Sequence, residues 1–177
     1  GPRPDDRGRG WLFAYAPDGQ ARRWKAYPGQ RGPKSRWHPK KPADARLYDP
    51  RGDLAAHIAA AGGDLILAEG EPDVWACWPA GVFNVTATIH GAGTTPAWLI
   101  DELRRLKVHR VLTWPDCDSA GVSGAAKLRD ALAGSGIDFE ARGLPYELGS
   151  KSDIGTLLLD VGAPRLAAAL KACPAFD

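Results

Sequence analysis

Residues 65–76, LILAEGEPDVWA, run from four apolar residues straight into Glu69, Gly70, Glu71 and Asp73. A buried strand gains nothing by ending in carboxylates, so this cluster either caps the next helix or holds something cationic. A second acid pair follows in Trp114-Pro115-Asp116-Cys117-Asp118, and a further acid, Asp153, in Lys151-Ser152-Asp153. Carboxylates grouped in this way suit magnesium, or manganese in its place. Such ions take hard oxygen ligands in near-octahedral geometry, usually one or two carboxylates, several waters and substrate phosphates. A glutamate held beside the ion can exchange a proton with an attacking or leaving oxygen. Neighbouring carboxylates raise its pKa and a metal lowers it. Taken singly, each acid has a plainer role: Asp118 or Ser119 would cap a helix starting near 120, and Glu71 or Asp73 would favour a helix N-terminus. For one acid alone capping carries more weight; for the ordered set, chemistry does.

Convergence of these acids depends on the elements that carry them. Strands are predicted over 65–68, 82–87, 108–114 and 137–141, and helices over 53–61, 72–79, 96–106, 120–133, 152–159 and 164–173. Strand and helix alternating at this spacing predict a mostly parallel sheet covered on both faces. Ligands of such sheets bind outside the carboxyl ends of the strands. Glu69 ends the first strand of this body and Asp116–Asp118 follow the third, so both groups fall on one edge. Ahead of the body, residues 10–28 alternate bulky with small or charged residues around Pro17-Asp18-Gly19, which predicts a β-hairpin. Residues 28–42, PGQRGPKSRWHPKKP, read as an extended, exposed loop, and Arg46-Leu47-Tyr48 as a short returning strand. The chain thus divides into a basic β-hairpin and loop segment, 1–50, and a catalytic body, 51–177.

The whole chain has 177 residues and carries a net charge of +2. Residues 1–50 hold 12 Lys and Arg against 5 Asp and Glu, net +7, whereas residues 51–177 hold 11 against 16, net −5. That separation predicts a polyanion partner for the front and divalent cations for the body. Arg22, Arg23, Lys25, Arg31, Lys34, Arg36, Lys40 and Lys41 interleave with Trp24, Trp37 and His38. Cations for phosphates and rings for base stacking, worth ~1–3 kcal/mol per stacked base, describe a single-strand platform. The alternative is that Trp24 packs while the charges solvate a loop. Binding is favoured for the loop and packing for Trp24, since a hairpin needs one apolar face. Gly91, Gly93, Thr94 and Thr95 read as a phosphate-binding loop entering the helix at Pro96, although no Walker lysine accompanies them. His57 reads as a helix-surface residue, and His90, beside the glycine loop, as one that approaches the site.

No stretch approaches the roughly 18–20 apolar residues that span a bilayer, and the opening residues lack the apolar centre of a signal peptide. The chain is therefore read as soluble, cytoplasmic and without a membrane partner. Cys77, Cys117 and Cys173 are isolated, with no CxxC pair; they fit a reducing compartment and argue against a structural zinc within this chain.

In this order and spacing, EGEPDVWA (69–76), GAGTTP (91–96), PDCDSAG (115–121) and KSD (151–153) resemble the Toprim domain, especially that of bacterial and phage DNA primases and primase-helicases. The resemblance covers roughly residues 64–160, and the hairpin and basic loop resemble, more loosely, the segment preceding Toprim in phage primases. It implies that Glu69 is the general acid or base, that Asp116 and Asp118 hold magnesium, and that Asp73 and Asp153 assist. KSDIGTLLLD departs from the family pattern, because its next acid is as far on as Asp160. The function implied is a primase-type nucleotidyltransferase of phage or plasmid replication. It would act on single-stranded DNA with nucleoside triphosphates and a divalent metal, beside a helicase domain or protein.

Three other functions use the same residues. A Toprim nuclease would cleave nucleic acid with these carboxylates. A topoisomerase would need a nucleophilic tyrosine, and no motif nominates Tyr15, Tyr27, Tyr48 or Tyr146. A non-catalytic DNA-binding module of a larger replication protein is the third. An Asp-x-Asp phosphatase is disfavoured, because its nucleophilic aspartate normally ends the first strand of the body, where this chain has Glu69.

Overall fold

Asp64-Leu-Ile-Leu-Ala lies at the centre of the body, with its last four residues buried, Leu65 completely. The computed structural model describes residues 3–4, 10–14, 22–26, 35–38, 47–88 and 95–176. The chain groups into two compact units, Gly1–Asp53 and Leu54–Asp177.

In the second unit, strands β5 (Asp64–Ala68), β6 (Val85–Ala87), β7 (Arg110–Thr113) and β8 (Asp138–Ala141) form a sheet in the order β6-β5-β7-β8. All three pairings are parallel. Six helices flank this sheet: α1 (Leu54–Ala60), α2 (Glu71–Cys77), α3 (Leu99–Arg105), α4 (Ser119–Leu132), α5 (Ile154–Val161) and α6 (Ala163–Ala172). The fold is therefore the expected α/β architecture. Because β6 leaves β5 on one side and β7 joins it on the other, the strand order reverses beside β5. Such a switch point is where α/β sheets open a crevice for ligands.

Local chemistry explains most element boundaries. Pro72 stands in the first turn of α2, where its missing N–H costs nothing, and Asp73 Oδ2 accepts a bond from Gly70 N at 3.1 Å. Gly63, at φ 92, accepts from His109 N at 2.8 Å, and a Cβ there would stand 2.6 Å from the His109 ring. A glycine is thus required where α1 hands over to the sheet. Thr113 Oγ1 donates to Leu67 O at 2.9 Å, and Trp114 Nε1 donates to Leu170 O at 3.2 Å. Both bonds are buried and pin the end of β7, one to the central strand and one to α6. Beyond β8, Phe176 N donates to Ala141 O and Gly143 N to Pro174 O, so the last residues run antiparallel along the sheet edge.

The first unit is an antiparallel sheet with strand order β1-β2-β3-β4, built from β1 (Arg3–Pro4), β2 (Gly10–Ala14), β3 (Arg22–Ala26) and β4 (Ser35–His38). The expected hairpin is β2 and β3. The expected loop over 28–42 is corrected, since it contains β4, paired to β3. Leu47 makes an isolated bridge in place of a returning strand. Residues directly opposite in an antiparallel pair share a face. The register puts Trp24 opposite Leu12 and Arg36, and Arg23 opposite Phe13 and Trp37.

Candidate active site

The carboxyl ends of β5 and β7 are neighbours, so Glu69 and Asp116 meet although 47 positions separate them. Asp116 N donates to Glu69 Oε1 at 3.0 Å. Asp118 caps α4: its Oδ1 accepts from Ala120 N and Gly121 N, both at 2.9 Å. Asp153 caps α5 in the same manner, its Oδ1 accepting from Thr156 N at 2.7 Å and Thr156 Oγ1 at 2.9 Å. For Asp118, the capping role weighed in the sequence is thus observed. The capping bonds of both residues fall on Oδ1 and leave Oδ2 outside them.

Asp153 reaches this edge because the loop carrying it is laced to the Asp116–Asp118 turn. Cys117 N donates to Ser152 O at 2.9 Å, and Cys117 O accepts from Gly149 N at 2.6 Å and Lys151 N at 3.3 Å. Asp160, the next acid along, instead accepts from Tyr146 OH at 2.6 Å. Burial and that bond raise the Tyr146 phenol to about 12.

Electrostatics record the convergence. Burial pushes the Asp116 carboxyl up to about 8, and the charges of Glu69, Asp73, Asp153 and Asp118 push in the same direction. Glu69 is also raised, first by burial and then by Asp118 and Asp153, while the hydrogen bonds from Asp116 pull it down. Four other acids thus act on Asp116, the four named with it as metal ligands in the sequence. Such mutual repulsion costs stability unless a proton or a cation relieves it.

The donor set is all oxygen, which matches a hard divalent cation. Among the described residues, no three His, Cys, Asp or Glu side chains already stand together at ligating geometry. Behind Glu69 lies a small cavity of about 40 Å³, lined among others by Leu67, Thr88, Thr95, Thr113 and Gly121. It is large enough for a water molecule or two.

Other expected site residues are placed less completely. Thr95 lines that cavity, whereas Gly91, Gly93, Thr94 and His90 lie outside the described residues. Arg22, Arg23 and Lys25 fall on β3, and Arg36 and Trp37 on β4. Arg31, Lys34, Lys40 and Lys41 lie outside the described residues. His57 is half-buried rather than a surface residue, its ring 5.1 Å from that of Phe83. All three cysteines are free and buried. Sequence reasoning missed the burial of Glu71, which is completely enclosed, and the tight fit at Gly121. A glycine in the first turn of a long helix, against propensity, was the available signal for the second.

The open parallel α/β domain, with carboxylates at its switch point, has the Toprim-like fold expected from the sequence. Among solved structures, the fold is that of the DNA primase catalytic core. The chain is similar to the zinc-binding and RNA polymerase domains of the Aquifex aeolicus primase, with a TM-score of 0.71 and 18% identity over 95% of this chain and 41% of that one. It is similar to the RNA polymerase domain of Mycobacterium tuberculosis primase DnaG, with a TM-score of 0.70 and 19% identity over 97% and 60% of the two chains. A DnaG primase catalytic domain bound to ssDNA gives a TM-score of 0.64 and 20% identity over 94% and 52%. The chain therefore spans between 41% and 60% of the length of these three. No protein-family model and no curated protein matches the sequence.

Proposed function

We propose that this chain is the catalytic core of a primase-type nucleotidyltransferase that joins nucleotides on a single-stranded DNA template. The observation that carries the reading is the meeting of Glu69 with Asp116 at the switch point of a primase-like fold, with Asp118 and Asp153 bearing on the same edge. Magnesium or manganese, held by Asp116 and Asp118 with Glu69, Asp73 and Asp153 in support, would supply charge neutralisation at the attacking and leaving oxygens. The protein's part is to hold and move a proton. Glu69 Oε1 is occupied by the Asp116 N–H, and burial and the neighbouring acids raise its carboxyl in the direction that favours exchanging a proton with a sugar hydroxyl. Burial and the neighbouring acids raise the Asp116 carboxyl, and a cation held there would favour its charged form. The strands β3 and β4, carrying Arg22, Arg23, Lys25, Arg36 and Trp37, would track the template. Nucleoside triphosphates are the substrates, and a helicase domain or protein is the further partner.

One gel tests this. End-labelled single-stranded DNA and labelled nucleoside triphosphates are incubated with Mg²⁺ or Mn²⁺ and the protein, Glu69→Gln or Asp116→Asn. New short products lost in both variants are expected. Shortened DNA without new product would place the chain with Toprim nucleases instead, and bound but unchanged DNA would leave a binding module.

A further inference from the structure

Position 121 is buried in the first turn of α4, and what it lacks matters more than what it carries. A Cβ there would stand 2.7 Å from Glu69 Oε1 and 2.8 Å from Asp116 N, and closer still to Asp116 O. Real Cβ atoms essentially never approach other heavy atoms within 3.0 Å. The N–H of the same residue donates to Asp118 Oδ1 at 2.9 Å. One residue therefore touches Glu69, Asp116 and Asp118 together. Its φ is not in the left-handed region, so backbone freedom does not explain a glycine at this point. Alanine would be the better helix former, which leaves the tight fit against the two strand ends as the physical reason.

We propose that Gly121 is the positioning residue of the carboxylate site. Without a side chain, it lets the first turn of α4 lie against the Asp116 peptide and the Glu69 carboxylate, which sets the separation of Glu69, Asp116 and Asp118. Adding one methyl group must drive the helix off the strand ends or turn Glu69 away. In either case the distance between Glu69 and Asp118, which α4 itself carries, is changed. The proposal rests on the reading that these three acids hold a divalent cation.

The test compares the full chain with Gly121→Ala and with Ser123→Ala, an exposed change on the same helix. Free Mn²⁺ is followed by electron paramagnetic resonance during titration, and folding is checked by circular dichroism and melting temperature. Folded Gly121→Ala is expected to bind Mn²⁺ at least tenfold more weakly than the parent, and Ser123→Ala equally well. Folded Gly121→Ala with parental affinity would overturn the proposal. Absence of Mn²⁺ binding by the parent would overturn the metal reading itself, a separate result. Should Gly121→Ala not fold, Glu69→Ala and Glu69→Ala/Gly121→Ala decide the matter. The double variant is then expected to fail to fold as well, alongside a folded Glu69→Ala, because the Asp116 backbone still meets the added methyl group; a double variant that folds and melts with Glu69→Ala would show that the Asp116 backbone does not require a glycine at 121 and would overturn the proposal.

Discussion

At Asp118 and Asp153, one carboxylate oxygen caps a helix while the other lies outside the capping bonds. Substitution can separate the two functions, because asparagine caps about as well as aspartate but lacks its charge. Asp118→Asn and Asp153→Asn are expected to melt within about 2 °C of the parent while losing priming activity on the order of 10²-fold, the scale of one lost electrostatic group. Alanine at either position is expected to cost a further ~1 kcal/mol of stability, measured by denaturant unfolding. Asp116 gives a pH signature. Its carboxyl titrates near 3.8 when unexceptional and is pushed up to about 8 here, so the folded chain holds that proton more tightly than the unfolded chain does. The resulting stabilisation is complete below about pH 4 and is lost as pH rises through about 8. Metal-free protein is expected to lose melting temperature across that window relative to Asp116→Asn, and Mg²⁺ to recover most of the loss at the alkaline end. A flat difference between the two proteins from pH 4 to 9 would contradict the assigned cause.

Elements matter here as carriers that must end in the same place. The Thr113 hydroxyl bond to Leu67 O joins the last turns of β7 and β5 just before the acids begin. Thr113→Val preserves the shape and removes this bond, so a loss of ~1 kcal/mol in urea unfolding is expected, with a larger proportional loss of activity than of stability. Element types were legible in the sequence wherever apolar periodicity was strong: each body strand and helix lies within two or three residues of its expected place. Ser35–His38 was not legible as a strand. Its four residues stand between two prolines without apolar alternation, and only pairing with β3 makes them extended. The strand expected over 82–87 shrinks to Val85–Ala87 because its pairing with β5 begins only where Asn84 O accepts from Ile66 N.

Across the whole molecule, a basic first segment and an acidic body divide the recognition problem. The acids would repel a phosphate chain unless a cation stood between them, while the basic strands would attract it along its length. Single-stranded DNA affinity is therefore expected to fall steeply with salt, by a log–log slope of about −0.7 per phosphate contacted. Trp37→Ala is expected to weaken binding by ~1–3 kcal/mol per stacked base, and Trp24→Ala, read from the sequence as a packing residue, by less. Fluorescence anisotropy with a labelled oligonucleotide measures both effects; equal losses in the two variants would contradict this division of roles. Among the described residues, no helix is long and apolar enough to cross a membrane.

From its sequence alone, this protein declares an alternating α/β body, the acids that close its strands and the basic segment ahead of it. Those properties live in local periodicity and residue type, which need no knowledge of distant contacts. Asp153 was expected beside Asp116 from its motif, but tertiary structure alone showed how it gets there and that Asp160 belongs with Tyr146. Backbone bonds between the loops at 117 and 149–152, far apart in the chain, select the first and exclude the second. Tertiary structure also decided that Gly121 must have no side chain, since the atoms that forbid one come from β5 and β7 rather than from its own helix. Sequence period shows which face a residue occupies; only packing shows what stands opposite it.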